Sequence, residues 1–204
     1  MKIFLKIFTL CMLGFALMAK AQEQSPEQLV QKITDDILAS IKSDKQLAAG
    51  DKQKALKLAE EKVLPYIDFE ESTRLAVGRA WAQATPEQKK RLVSEFRNML
   101  VRTYSNAIEG YEGQTLKVLP SRGKQDQKDE ATVRTQFVRA GGKPLPIEFQ
   151  MHKAGPQWKV YDITVEGVSL VLTYRSEFDA VVKQEGIDGL IKRLTQKNTP
   201  AKIG

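Results

Sequence analysis

Cysteine and histidine are almost absent: the 204-residue chain carries one of each, Cys11 and His152. Cys11 falls within a leader that is expected to be removed. The rest of the chain then has no disulfide and no thiol chemistry, and an ordinary core has to stabilise it. One histidine cannot build the usual zinc set. A Ser-His-Asp arrangement would have to recruit His152, which falls on the polar side of an alternating strand with no supporting motif; it is read as a surface histidine. No glycine-rich phosphate loop or dinucleotide fingerprint occurs. No compact Lys/Arg–aromatic motif occurs either, so no nucleic-acid partner is expected. No metal or cofactor is implied. Beyond the leader, no apolar run is long enough to cross a bilayer.

The leader is the first thing present. Lys2 and Lys6 form a positive start, residues 7–18 an apolar run, and Ala19-Lys20-Ala21 a small-x-small cleavage pattern. The expected division is a signal peptide over 1–21 and a single domain over 22–204, exported to the periplasm. Phe8-Thr-Leu-Cys11 is a poor lipoprotein signal. Losing Lys2, Lys6 and Lys20 lowers the net charge from +7 to +4. That mild excess suits an ordinary solvated surface more than a dedicated electrostatic site. About 180 residues remain, enough for one domain with a sizeable core.

Periodicity orders that domain. Ser25-Pro26-Glu27-Gln28 is a capping box opening a helix with Leu29, Val30, Ile33, Ile37 and Ile41 on one face. Asp51 is placed to cap a second helix, which Pro65 stops. Residues 70–83 read as helical, weakened at Gly78 unless a close contact needs the missing side chain. Thr85-Pro86-Glu87-Gln88 opens a long amphipathic helix with Leu92, Phe96, Met99, Leu100, Tyr104 and Ile108 inward, ended by Gly110 and Gly113. The period then changes to two. Strands are expected at 115–119, around Ala131–Phe137, around Leu145–Met151 and from Trp158, with a polar loop at 123–130 and turns at Ala140–Lys143 and Gly155-Pro156. Gly167 interrupts, Ser169 caps a helix to about Gln184, and Gly186 separates a short last helix. The expected fold is α+β: an antiparallel sheet of about four strands with N-terminal and C-terminal helices packed on one face, enclosing an apolar pocket.

Asp162 and Glu166 are the candidate acid–base pair. The commoner role for carboxylates at a strand–helix junction is capping or ion pairing, and Asp162, Glu166 and Arg175 are grouped as a structural polar cluster with Arg175 as the expected partner of Asp162. The apolar stripes by themselves are compatible with a filled core.

The run Trp158-Lys-Val-Tyr-Asp-Ile-Thr-Val-Glu-Gly-Val-Ser-Leu-Val-Leu-Thr-Tyr-Arg-Ser-Glu-Phe178 resembles the MlaC, or toluene-tolerance, family. Val63-Leu-Pro-Tyr-Ile-Asp68, Gly78-Arg-Ala-Trp81 with Ala84-Thr-Pro-Glu-Gln88, Phe96, Leu100, Thr103-Tyr104 and Tyr111, and Gly186 with Gly189-Leu-Ile191 extend the resemblance over most of the domain in order and spacing. It implies a periplasmic phospholipid carrier without enzymatic activity. Such a carrier shuttles lipid between an outer-membrane lipoprotein–porin complex and an inner-membrane MCE-domain/ABC transporter complex, and so maintains outer-membrane lipid asymmetry. The acyl chains would enter a pocket between sheet and helices, with the headgroup in solvent. Facing and resemblance together place Trp81, Phe96, Tyr104, Val133, Phe137, Ile147, Phe149, Met151, Val160, Ile163, Val168, Leu172 and Tyr174 on its wall. A monomer is expected, and Arg97 and Arg102 on the outer face of the long helix are expected to guide docking. Two other readings stay open: a small exported enzyme acting on a hydrophobic molecule, and an exported interaction module with a filled core.

Overall fold

The computed structural model describes residues 24–104, 114–121, 129–139 and 141–199. The leader over 1–21, the expected helix end at Ile108–Gly113 and most of the 123–130 loop lie outside the described residues.

Local signals set the helices. Ser25 caps α1 (Pro26–Ser43) in a reciprocal box: Gln28 N donates to Ser25 Oγ at 3.2 Å and Ser25 N to Gln28 Oε1 at 3.0 Å. Asp44 caps a short α2 (Lys45–Ala48), and Asp51 caps α3 (Lys52–Lys62) by accepting from Lys54 N at 3.0 Å. Pro65 stands in a 3-10 turn, Leu64–Tyr66, that takes the chain out of α3. The span read as one helix over 70–83 is two pieces, α4 (Phe69–Val77) and a 3-10 turn (Gly78–Gln83). Gly78 divides them at φ 64, ψ −132, where a Cβ is not tolerated, and a Cβ there would also lie 3.2 Å from Arg175 Nε. The close contact that would justify glycine is present. Thr85 and Gln88 form the second capping box, opening α5 (Pro86–Tyr104).

Five strands follow where about four were expected: β1 (Thr115–Val118), β2 (Glu130–Val138), β3 (Leu145–Ala154), β4 (Gln157–Val165) and β5 (Val168–Ser169), antiparallel in chain order. The fifth is two residues long, too short to read from alternation. α6 (Leu170–Asn198) bends at Gly186, φ 71 and ψ −174, at the expected break.

The register contains one irregularity that matters. Met151 faces Val160 while Gln150 faces Asp162, leaving Tyr161 unpaired as a bulge. The apolar parity of β4 therefore shifts from Trp158 and Val160 to Ile163 and Val165, keeping all four on one sheet face. Asp162 passes to the opposite face, beside Gln150. Plain alternation would have kept Asp162 on the face of Trp158 and Val160; the bulge removes it from that face.

Hydrophobic burial falls into two bodies. α1 lies on β1 and β2, where Leu29 and Val30 pack with Ala131, Val133, Met151, Trp158 and Val160. The second is helical: Ala76 and Val77 of α4, Leu92, Phe96 and Met99 of α5, and Val171, Phe178, Leu190 and Ile191 of α6. α4 and α6 reach the sheet at β4, whereas α5 packs chiefly on α4 and α6.

Candidate functional site

The register places one apolar row after another across the same sheet face. Ala131, Met151 and Val160 form one, and Val133, Phe149 and Ile163 the next. Val118, Thr135, Ile147, Val165 and Val168 follow, then Leu116, Phe137 and Leu145. Burial is uneven along this face: Thr135 in the third row is as buried as Val133, and Leu116 and Val118 pack against the α1 body. Val133 and Met151 are fully buried under α1, while Phe149, Ile163, Ile147, Val165, Phe137 and Leu145 are only half-buried. Phe137, Leu145, Ile147 and Val165 belong to neither hydrophobic body. At the sheet edge Val168 is 60% exposed.

The one buried polar side chain on these rows is already satisfied: Thr135 Oγ1 donates to the Ile147 carbonyl at 2.9 Å. A solvent-reaching apolar face with no unmet hydrogen-bonding group attracts hydrocarbon and offers little to a polar ligand.

The expected wall residues divide three ways. Phe137, Ile147, Phe149 and Ile163 form the half-open face, with Val168 at its edge. Val133, Met151 and Val160 are buried in one hydrophobic body with Leu29 and Val30 of α1. The helical set belongs to the other body. Phe96 is 1% exposed and meets Tyr174 and Phe178 edge-on, with centroids 5.1 and 5.2 Å away. Trp81 packs against that body under the Lys89 ammonium, 5.4 Å from its ring centroid. Tyr104 and Leu172 are exposed. Burial first, and then a hydrogen bond with the Tyr104 hydroxyl, hold the Tyr174 phenol protonated well above its ordinary range. Leu145 and Val165, outside the expected wall set, lie on the same face. Both stood in the alternation, but only strand pairing shows that they adjoin Phe137 and Ile147.

The polar cluster is not assembled as expected. Asp162 does not pair with Arg175. Its carboxylate accepts from Ser169 Oγ at 2.5 Å, Ile163 N at 2.8 Å and Val171 N at 3.1 Å, pinning β4 to the start of α6. Ser169 in turn caps α6 by accepting from Leu172 N at 3.0 Å. The Arg175 guanidinium lies over Gly78 instead. Glu166 is exposed at the tip of the β4–β5 hairpin, with φ 51 beside Gly167 at φ 84. Both positive angles fit a type I′ turn, which favours Asn-Gly; glutamate there costs about 1 kcal/mol of backbone strain.

His152 is also not a free surface residue. It is half-buried, with Nε2 3.0 Å from Asp68 Oδ2 and its ring against Tyr161 at 5.4 Å. Asp68 caps α4 through its other oxygen, accepting from Glu71 N at 2.9 Å. The nearby Ser72 hydroxyl lies 2.8 and 2.7 Å from the Asp68 and Tyr161 carbonyls, so it is held by backbone rather than by His152. This pair fastens α4 to the sheet and has no nucleophile in line. Arg97 stacks over Phe69 at 5.7 Å and Arg102 donates to the Asn198 carbonyl at 2.8 Å, so both are engaged within the fold. Among the described residues, no His/Cys/Asp/Glu group is placed to hold a metal, and no helix is long and apolar enough to cross a membrane.

Comparison with known proteins places this geometry among relatives. The family model described as MlaC protein matches residues 31–196. The chain is 23% identical over 177 residues to the intermembrane phospholipid transport system binding protein MlaC of Haemophilus influenzae, covering 85% of this chain and 82% of that protein. It is 25% identical over 166 residues to the toluene tolerance protein ttg2D of Pseudomonas putida, covering 81% and 76%. A phospholipid-binding protein from Ralstonia solanacearum, solved in complex with a phospholipid, superposes with a TM-score of 0.76 at 36% identity, covering 84% of this chain and 96% of that one.

Proposed function

The chain belongs to the MlaC family, and from that premise we propose that it is a periplasmic phospholipid-binding carrier. The observation that carries the proposal is the half-buried apolar face around Phe137, Leu145, Ile147 and Val165, which belong to neither hydrophobic body. Acyl chains laid on that face leave water at roughly 0.8 kcal/mol per buried CH₂. Phe149 and Ile163 extend the surface toward α1, and Val168 lies at its edge. Tyr104, Leu172 and Tyr174, on α5 and α6, are the helical residues assigned to the opposite wall. The headgroup stays in solvent, in keeping with an apolar face that offers no free polar group. The chain acts by binding, and no catalytic residue is assigned.

The leader pattern over 1–21 supports export, and the name of the Haemophilus influenzae relative supports a place in phospholipid transport. The full reading is a shuttle between an outer-membrane lipoprotein–porin complex and an inner-membrane MCE-domain/ABC transporter complex.

The test is native mass spectrometry of the protein exported with its own leader and purified from periplasm without detergent. The expected result is a mass excess matching one phospholipid, identified after extraction. An unliganded mass that stays unchanged after incubation with phospholipid vesicles would overturn the proposal.

A further inference from the structure

The apolar face ends at the β2–β3 hairpin, where its last row is Leu116, Phe137 and Leu145. The β2–β3 ladder runs from Glu130 opposite His152 to Phe137 opposite Leu145. Two residues further along each strand, the same register sets Arg139 against Lys143, with the parity of Phe137 and Leu145. Gly142 N donates to the Arg139 carbonyl at 3.2 Å and closes the turn. A Cβ on Gly142 would lie 2.8 Å from Arg139 Cγ, so glycine leaves room for the arginine stem. Both cations are exposed, and neither makes an ion pair among the described residues. The acids within the strands stand on the other face: Glu130, Glu148 and Asp162 lie opposite His152, Arg134 and Gln150. Glu166 shares that other parity, with its N donating to the Pro146 carbonyl at 3.1 Å. At the far end of the ladder the register sets Asp129 against Lys153, acid against base, and Lys153 N donates to the Asp129 carbonyl at 2.9 Å. At the hairpin it sets base against base, an arrangement that costs stability unless an anion joins it.

Resting on the carrier reading, we propose that Arg139 and Lys143 bind the phosphate of the phospholipid whose chains lie on the apolar face. The dimensions agree. Successive rows are two residues apart along the strands, about 6.8 Å. An acyl chain spans about 15 Å, half of a ~30 Å bilayer core. With the phosphate at the level of Arg139 and Lys143, the chains cover the Phe137–Leu145 and Thr135–Ile147 rows. They end short of the Val133–Phe149 row, about 20 Å from the cations. There the face is sealed, since Val133 has no exposed surface. The reverse orientation would set the phosphate against Val133 and Met151, both fully buried and apolar. A guanidinium and an ammonium supply charge-assisted donors to phosphate oxygens. They read a group that all glycerophospholipids share and that diacylglycerol lacks. The pair therefore favours a phosphate-bearing lipid over an uncharged one without choosing among headgroups, and what lies beyond the phosphate stays in solvent.

The test titrates the full mature protein, delipidated, with three lipids carrying the same fluorescent acyl chain: phosphatidylethanolamine, phosphatidylglycerol and diacylglycerol. The double variant Arg139→Gln/Lys143→Gln removes a like-charge pair from an exposed turn, so the Tm of the delipidated protein should not fall. It should weaken both phospholipids about fivefold and leave diacylglycerol unchanged. In the wild type the preference for phospholipid over diacylglycerol should shrink as salt rises, because the contacts are exposed. Wild-type affinity for both phospholipids in the variant would overturn the phosphate site and leave the carrier reading intact. An equal loss for diacylglycerol would assign the pair to the chains or the fold and overturn it too. A loss confined to phosphatidylglycerol would show that net lipid charge is read instead of phosphate, with the same consequence. Millimolar inorganic phosphate should leave phospholipid bound; displacement from the wild type would make the pair a free-anion site and overturn its assignment to lipid. If the wild type binds none of the three lipids, the carrier reading falls and the phosphate site with it.

Discussion

Ile147 and Met151 stand on the same face of β3, four residues apart, and a tryptophan at each separates an open face from a filled core. Met151 has no exposed surface and is enclosed by the α1–sheet body. Enlarging it overpacks that body at a cost of about 1–3 kcal/mol. For a domain of this size that lowers Tm by about 2–12 °C, at 2–4 °C per kcal/mol. Ile147 is half-buried and outside both bodies. If the face is open, a larger ring there extends toward solvent, so the delipidated protein should keep its Tm within about 4 °C, equivalent to less than about 1 kcal/mol. Lipid pays the difference. A ring that takes the room of two or three methylenes removes about 2 kcal/mol of burial, roughly a 30-fold loss of affinity. Calorimetry on delipidated protein and titration with a fluorescent phospholipid measure the two quantities. If Ile147→Trp unfolds as early as Met151→Trp and still binds lipid normally, the face is solid and the reasoning fails.

Gly78→Ala should lower stability by about 2 kcal/mol because φ 64, ψ −132 excludes a side chain; adding Arg175→Ala should not restore it, and a double-mutant cycle by urea unfolding would reveal restoration if the contact were the cause. Asp162→Ala strips the start of α6 of a carboxylate that accepts three hydrogen bonds and should cost about 2–4 kcal/mol, with a smaller loss for Asp162→Asn in the same urea experiment. The folded state keeps the Tyr174 phenol proton that the unfolded chain releases near pH 10.0. Stability should therefore fall as pH rises above that value, and Tm curves from pH 8 upward should decline less steeply for Tyr174→Phe than for the wild type.

Much of the secondary structure was legible because its causes are local. The reciprocal boxes at Ser25 and Thr85, the single caps at Asp51 and Ser169, and the breaks at Pro65 and Gly186 all act within a few residues. Each carries a residue type that only its conformation favours. The β strands were legible from alternation, apart from the two-residue β5, which has no alternation to read. The reading of 70–83 as one helix gave Gly78 too little weight, since neither its positive φ nor the guanidinium over it is encoded nearby.

Family membership and the α+β layout were within reach of the sequence, since motif order and hydrophobic period survive without coordinates. The candidate site was only half legible. Trp158 and Val160 followed by Ile163 and Val165 already recorded a change of parity, but only pairing with β3 shows that a bulge at Tyr161 makes it and sends Asp162 to the other face. Likewise thirteen apolar wall residues carry the same chemical signature, yet Val133 and Met151 are sealed while Phe137 and Ile147 reach solvent. Periodicity states which side of an element is apolar; what covers that side is decided by elements far away in the chain. Here α1 lies on β1 and β2 and seals Val133 and Met151, while Phe137, Leu145, Ile147 and Val165 stay half-buried, a difference made by tertiary packing and not by any residue on the face itself.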